Sequence, residues 1–196
     1  MSGSRNAAGA GESFRARWLE AAATTFSKAL DAGVADTLAS YLEEFHAFRA
    51  FTPDTLAVLD APDAIDFLVG NGLPEDAAPY LSLPRAPGPF CTLGAVWPVG
   101  DRADLSGLLF VYNDGNGNAI CCERGTTQVL WLDHETEFRQ RVYVNATMEI
   151  FAEFLLAYLR QAVHLPVNAD LQSLDADAFA PGAFWAIHWH EKGPSA

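Results

Sequence analysis

Basic residues are scarce in this chain. Its 196 residues carry 12 lysines and arginines against 25 aspartates and glutamates, a formal net charge of −13. A surface of that sign repels phosphate backbones and anionic lipid, so neither nucleic acid nor a membrane is an expected partner. A basic protein is, because complementary charge speeds association and selects partners. Cysteine is scarce as well. Cys91, Cys121 and Cys122 form an odd count with an adjacent pair, a poor basis for a disulfide framework. Neighbours on a strand point to opposite faces, so Cys121 and Cys122 are not expected to serve one metal. The reducing cytoplasm is the expected compartment. No apolar run approaches the ~18 residues of a membrane span, and Met1 to Glu12 holds no apolar signal core.

Catalytic signatures are missing too. The chain has no serine elbow, Walker loop or zinc helix, and no cofactor, metal or catalytic residue is expected. Asp133-His134 places a carboxylate beside an imidazole, but general base catalysis also needs a nucleophile and a pocket. His188-x-His190 would share a face only if extended, and could then join His134 or His164 on a metal. Trp185 and Trp189, four apart, favour a helix there, on which the two histidines diverge. Asp114-x-Asn116-x-Asn118 has the spacing that opens a calcium loop. Ala119 then stands where that loop needs glycine, and Gly125 where it needs a bidentate glutamate, so a turn is the better reading. The cysteines read as small buried hydrophobes.

Apolar residues are plentiful: 50% of the chain, with 13 Phe and 5 Trp, enough for a full core. Residues 1–12 read as a flexible start, and 13–196 as one domain with a helical extension reaching about residue 50. Phe14, Trp18, Ala22 and Phe26 recur at helical spacing after a capping Ser13. Gly33 breaks the run, and a second helix is expected through Leu38, Leu42, Phe45 and Phe48–Arg49, ending at Pro53. A third is expected with Asp60 as N-cap and Pro62 in its first turn, stopping at Gly70-Asn71-Gly72. The proline-rich stretch from Pro79 to Pro98 can hold only short or edge strands. Strands follow over Leu108–Tyr112, Ala119–Glu123, Gln128–Leu132 and Arg141–Val144. The turn signals at Asp114–Gly117 and Gly125-Thr126 make them an antiparallel meander. Asn145 or Thr147 caps a long helix with a stripe of Ile150, Phe151, Phe154, Leu155, Tyr158 and Leu159. Pro181 opens a last helix holding Phe184, Trp185, Ile187 and Trp189. The fold class is therefore α+β: a central antiparallel sheet flanked by N-terminal, middle and C-terminal helices.

Charge is unevenly spread. From Asp31 to Asp76 a run of carboxylates is opposed by Arg49 alone. Glu43, Glu44, Asp63, Asp66, Glu75 and Asp76 are the candidate partner-binding residues on that stretch.

Four passages share an order and spacing. They are Phe67-Leu68-Val69-Gly70-Asn71-Gly72-Leu73-Pro74, then Tyr112-Asn113-Asp114-Gly115-Asn116-Gly117-Asn118-Ala119-Ile120-Cys121. Gly125 with Gln128-Val129-Leu130-Trp131-Leu132-Asp133 follows, and then Val144-Asn145-Ala146-Thr147-Met148 with Phe151 and Leu155. Together they resemble the SUKH superfamily of bacterial immunity proteins, in particular its fourth subfamily. Cys121-Cys122-Glu123 departs from the usual aliphatic-Asp ending, and the segment before Ala50 lies outside the likeness. The resemblance implies an α+β immunity protein that binds and neutralises a cognate toxin, often a nuclease or deaminase, in interbacterial competition. It implies structural roles for the shared residues, Asn145 as a helix cap among them, and transfers no catalytic or binding residue. Two alternatives stand beside it. One is a regulatory or scaffold module of the same fold, as in the fungal cell-wall-synthesis regulators of the superfamily. The other is a small metal-dependent enzyme using His134, His188 and His190.

Overall fold

The computed structural model describes residues 12–31, 46–77, 80–99, 102–162, 165–167 and 170–190, without the side chains of 25–31, 162 and 190. Helix α1, Phe14–Asp31, starts where the Ser13 hydroxyl accepts the Ala16 amide at 3.2 Å. Its Phe14, Trp18 and Ala22 are buried. Glu43, Glu44, the break at Gly33 and the helix expected through Leu38, Leu42 and Phe45 lie outside the described residues.

The end of that expected helix is a strand instead. Phe48–Arg49 forms β1, paired antiparallel with β2, Leu73–Pro74. The Phe48 ring packs 6.2 Å from both Phe14 and Trp18, while the Arg49 guanidinium grips Glu75. Extended backbone sends such neighbours to opposite sides, and helical backbone does not. Pro53 likewise opens an element rather than ending one. It begins α2, Pro53–Leu56, closed by a reciprocal capping box between Thr52 and Thr55. Helix α3, Pro62–Asn71, has Ala61 as its N-cap, not Asp60. Asp60 is one residue too early, held at φ +54 as the left-handed end of a 3-10 turn, Ala57–Leu59. Gly72 stops α3 as expected, at φ +70.

The sheet is the predicted meander with short additions. β6 (Leu108–Asn113), β7 (Ala119–Glu123), β8 (Val129–Leu132) and β9 (Arg141–Asn145) run antiparallel in sequence order. The proline-rich stretch and its approach supply only two-residue strands: β3 (Asp76–Ala77), β4 (Leu81–Ser82) and β5 (Cys91–Thr92). β4 and β5 both pair with β6, and β3 lies outside β4.

Both faces of this sheet are buried. Leu109, Val111, Tyr112, Ile120 and Cys122 face the main core with α1 and the long helix after β9, and Leu108, Phe110, Ala119 and Cys121 face a second. A bulge between Phe110 and Tyr112 lets Val111 and Tyr112 share a face, and Tyr112 donates its hydroxyl proton to Pro74 O at 2.8 Å. The second core is roofed by loop residues. Leu93, Trp97, Leu105 and Phe138 cover it, with Trp97 edge-on to both Phe110 and Phe138.

Helix α4, Met148–Ala162, buries Phe151, Phe154, Leu155 and Leu159. Thr147 provides the cap, its hydroxyl accepting the Ile150 amide at 3.3 Å. Asn145 does something else. Its side chain accepts from Trp185 Nε1 at 2.8 Å and donates to Asp175 Oδ2 at 3.1 Å. Asp175 also accepts from Tyr143 and from the Ala146 amide. This buried chain of polar groups latches the C-terminal segment, α5 (Leu171–Leu174) and α6 (Phe184–His190), onto the end of β9. Ile187, counted with the last helix's apolar residues, is 53% exposed.

Candidate partner-binding surface

The four described candidates, Asp63, Asp66, Glu75 and Asp76, divide between two concavities and the outer surface of α3.

The first concavity, about 610 Å³, lies where β2 runs into β3 and is walled by Glu75, Asp76, Ser82, Arg85 and Asn113. Glu75 sits there because its backbone bridges two strands: its amide donates to Ala47 O and its carbonyl accepts from Leu83, both at 2.8 Å. Its carboxylate accepts from Arg49 Nε at 2.7 Å and Nη2 at 2.6 Å. The same hydrogen bond holds the Arg49 pKa above its ordinary value. A bidentate pair of this kind matches the Glu75 charge within the fold. The carboxylate of Asp76, next in the chain, has no hydrogen-bond or ion-pair partner among the described residues.

The second concavity, about 490 Å³, lies between the first turns of α3 and α4. The Gly125 amide creates it by donating to Leu59 O at 2.7 Å, which draws the β7–β8 turn against the start of α3. Asp63 lines it, together with Asp60 and Glu149. Asp66 lies on the exposed side of α3. Composition offered no means of joining Asp60 and Asp63 to Glu149, some ninety positions away; a hydrogen bond between two turns does it.

Most described arginines have a side-chain partner within the chain; Arg85, on the wall of the first concavity, and Arg124 have none among the described residues. Arg17 pairs with Glu153, Arg49 with Glu75, Arg102 and Arg141 with Asp104, and Arg139 with Glu137. Arg15 lies over the Phe48 ring. Asp60, Asp63, Asp66, Asp76 and Glu149 have no such partner among the described residues.

No family model matches the chain, and no curated protein or solved structure matches it.

The residues weighed for catalysis or metal binding are placed as follows. Asp133 and His134 do not pair. The Asp133 carboxylate accepts the Glu135 amide at 2.9 Å, and His134 Nδ1 lies 2.8 Å from Asn118 Oδ1, which also accepts the His134 amide. An amide oxygen only accepts, so this contact is a hydrogen bond in the tautomer that carries its proton on Nδ1. Asp114 accepts from Trp131 Nε1 at 3.0 Å, Asn118 Nδ2 at 2.8 Å and the amides of Asn116 and Asn118. Burial raises its pKa, but these donors outweigh burial and hold it below the ordinary value. A carboxylate with four donors is the hub of a hairpin turn. His188 stacks 4.3 Å from the Phe184 ring, on the helix that also carries His190. His164 lies outside the described residues. Among the described residues no three His, Cys, Asp or Glu groups come together as a metal site, and no helix is long and apolar enough to cross a membrane.

Proposed function

We propose that this chain is an immunity protein that binds and neutralises a cognate bacterial toxin, of the nuclease or deaminase type, in interbacterial competition. The observation that carries this reading is the asymmetry of charge engagement. Most described arginines are paired within the chain, whereas Asp60, Asp63, Asp66, Asp76 and Glu149 have no such partner among the described residues. An enzyme that acts on nucleic acid presents a basic cleft for phosphate. Unmatched carboxylates held on a rigid scaffold can occupy that cleft and exclude the substrate. The SUKH-like order of turn and junction motifs supports the same reading.

Coexpression with a secreted toxin encoded beside this chain tests it. The expected results are rescue of growth and a complex that survives gel filtration. A toxin that kills despite the chain, with no complex formed, would refute the proposal.

A further inference from the structure

The concavity between α3 and α4 holds more than surface charge. Asp60, Asp63 and Glu149 ring it, and all three lack a partner among the described residues. Helix ends account for some of this, since Asp63 and Glu149 sit in first turns where the macrodipole favours carboxylates. The magnitudes leave a surplus. Each helix end contributes about half a positive charge, and three carboxylates outweigh two such ends. Asp60 belongs to neither helix.

A second observation is independent of charge. Thr127 is 3% exposed, and its hydroxyl makes no hydrogen bond among the described residues. Thr127 lines the wall of this concavity. The neighbouring hydroxyls are engaged: Thr126 donates to Glu123 at 2.8 Å, and Thr147 caps α4. A group arriving in the concavity would give this hydroxyl the partner it lacks.

The shape and chemistry select that group. Asp60, Asp63 and Glu149 do not come together as a metal site. The volume of about 490 Å³ suits a long side chain better than an ion. Ala61, Pro62 and Ala64 give it an apolar flank for a methylene stem. A guanidinium carries five donors in a fixed fork, so one head group can serve several carboxylates and a hydroxyl together.

We infer that the concavity bounded by Asp60, Asp63, Thr127 and Glu149 is the seat for an arginine side chain of the protein partner. This rests on the reading that the chain binds a basic protein. The test is a titration of the 15N-labelled full chain with N-acetyl-arginine methylamide at low ionic strength. The expected result is saturable shifts centred on the amides of 125–127 and the first turns of α3 and α4. The triple variant D60N/D63N/E149Q should weaken binding at least tenfold. Asparagine tolerates the left-handed backbone at position 60, so the fold is preserved. Thr127→Val keeps the branched shape, removes the hydroxyl and should weaken binding several-fold. The inference is overturned by shifts that spread without saturating, that persist in the triple variant, or that N-acetyl-lysine methylamide reproduces with equal affinity. Failure of this seat is separable from failure of the function. A triple variant that still binds and neutralises the toxin as tightly as the parent would remove the arginine seat alone. Saturable arginine binding without toxin protection would remove the immunity reading alone.

Discussion

Gly72 shows how narrowly one residue can be specified. Its φ is +70, and a Cβ there would lie 2.4 Å from Arg49 O. Gly72→Ala would force β1 away from β2 and strain the end of α3. A loss of about 2 kcal/mol or more is expected, read as a lower urea midpoint. The buried thiols are specified through protonation. Burial pushes Cys121 well up and Cys122 up to about 12, and it raises Tyr112 as well. A raised folded pKa stabilises the protein fully below the unfolded value, and that stability fades as pH rises above it. Stability should therefore fall from about pH 8.5, the ordinary thiol value, and Cys122→Ala should flatten that alkaline slope. A slope unchanged by the substitution would assign the effect elsewhere. Asp114 works in the opposite direction. Its lowered pKa gives stability present above about pH 4 and lost on acidification. Trp131→Phe removes one of its donors and should raise the pH of acid unfolding.

The C-terminal latch is the element whose loss is most informative. Trp185→Phe would leave Asn145 Oδ1 buried and unpaired. A cost of about 1–3 kcal/mol should appear as a lower melting temperature. Thr147→Ala should cost about 1 kcal/mol through the α4 cap. The contrast between these neighbours explains what could be read in advance. The meander and α4 were legible because their signals are local: Asp114–Gly117 sets a turn, and Phe151, Phe154, Leu155 and Tyr158 repeat at helical spacing. Thr147 was a recognisable cap for the same reason. Asn145 looked equally like a cap, and only Trp185, forty residues later, diverts it into the latch. Phe48–Arg49 continued a helical pattern because nothing nearby announces its pairing with Leu73–Pro74. The candidate acids were legible as a composition shift. Their division into two concavities was not, since it depends on Arg49 engaging Glu75 and on Gly125 reaching Leu59.

Across the whole molecule, charge and core place different demands on the same chain. Since Asp60, Asp63, Asp66, Asp76 and Glu149 are unmatched among the described residues, association with a basic partner should slow steeply as salt rises, with a smaller effect on dissociation. Stopped-flow rates between low and high ionic strength would show it; a salt-independent on-rate would contradict an electrostatic surface. The roofing of the second core has another consequence, in time rather than energy. One face of the sheet is held by long helices, and the other by 3-10 turns, Trp97 and Phe138. Short turns open locally at less cost than helices. Amides of residues 93–97 and 102–105 should therefore exchange with solvent while β6, β7 and α4 stay protected. Cys121 and Cys122 are neighbours in sequence, but they would meet solvent on separate clocks: Cys121 whenever the roof lifts, Cys122 only when the molecule unfolds.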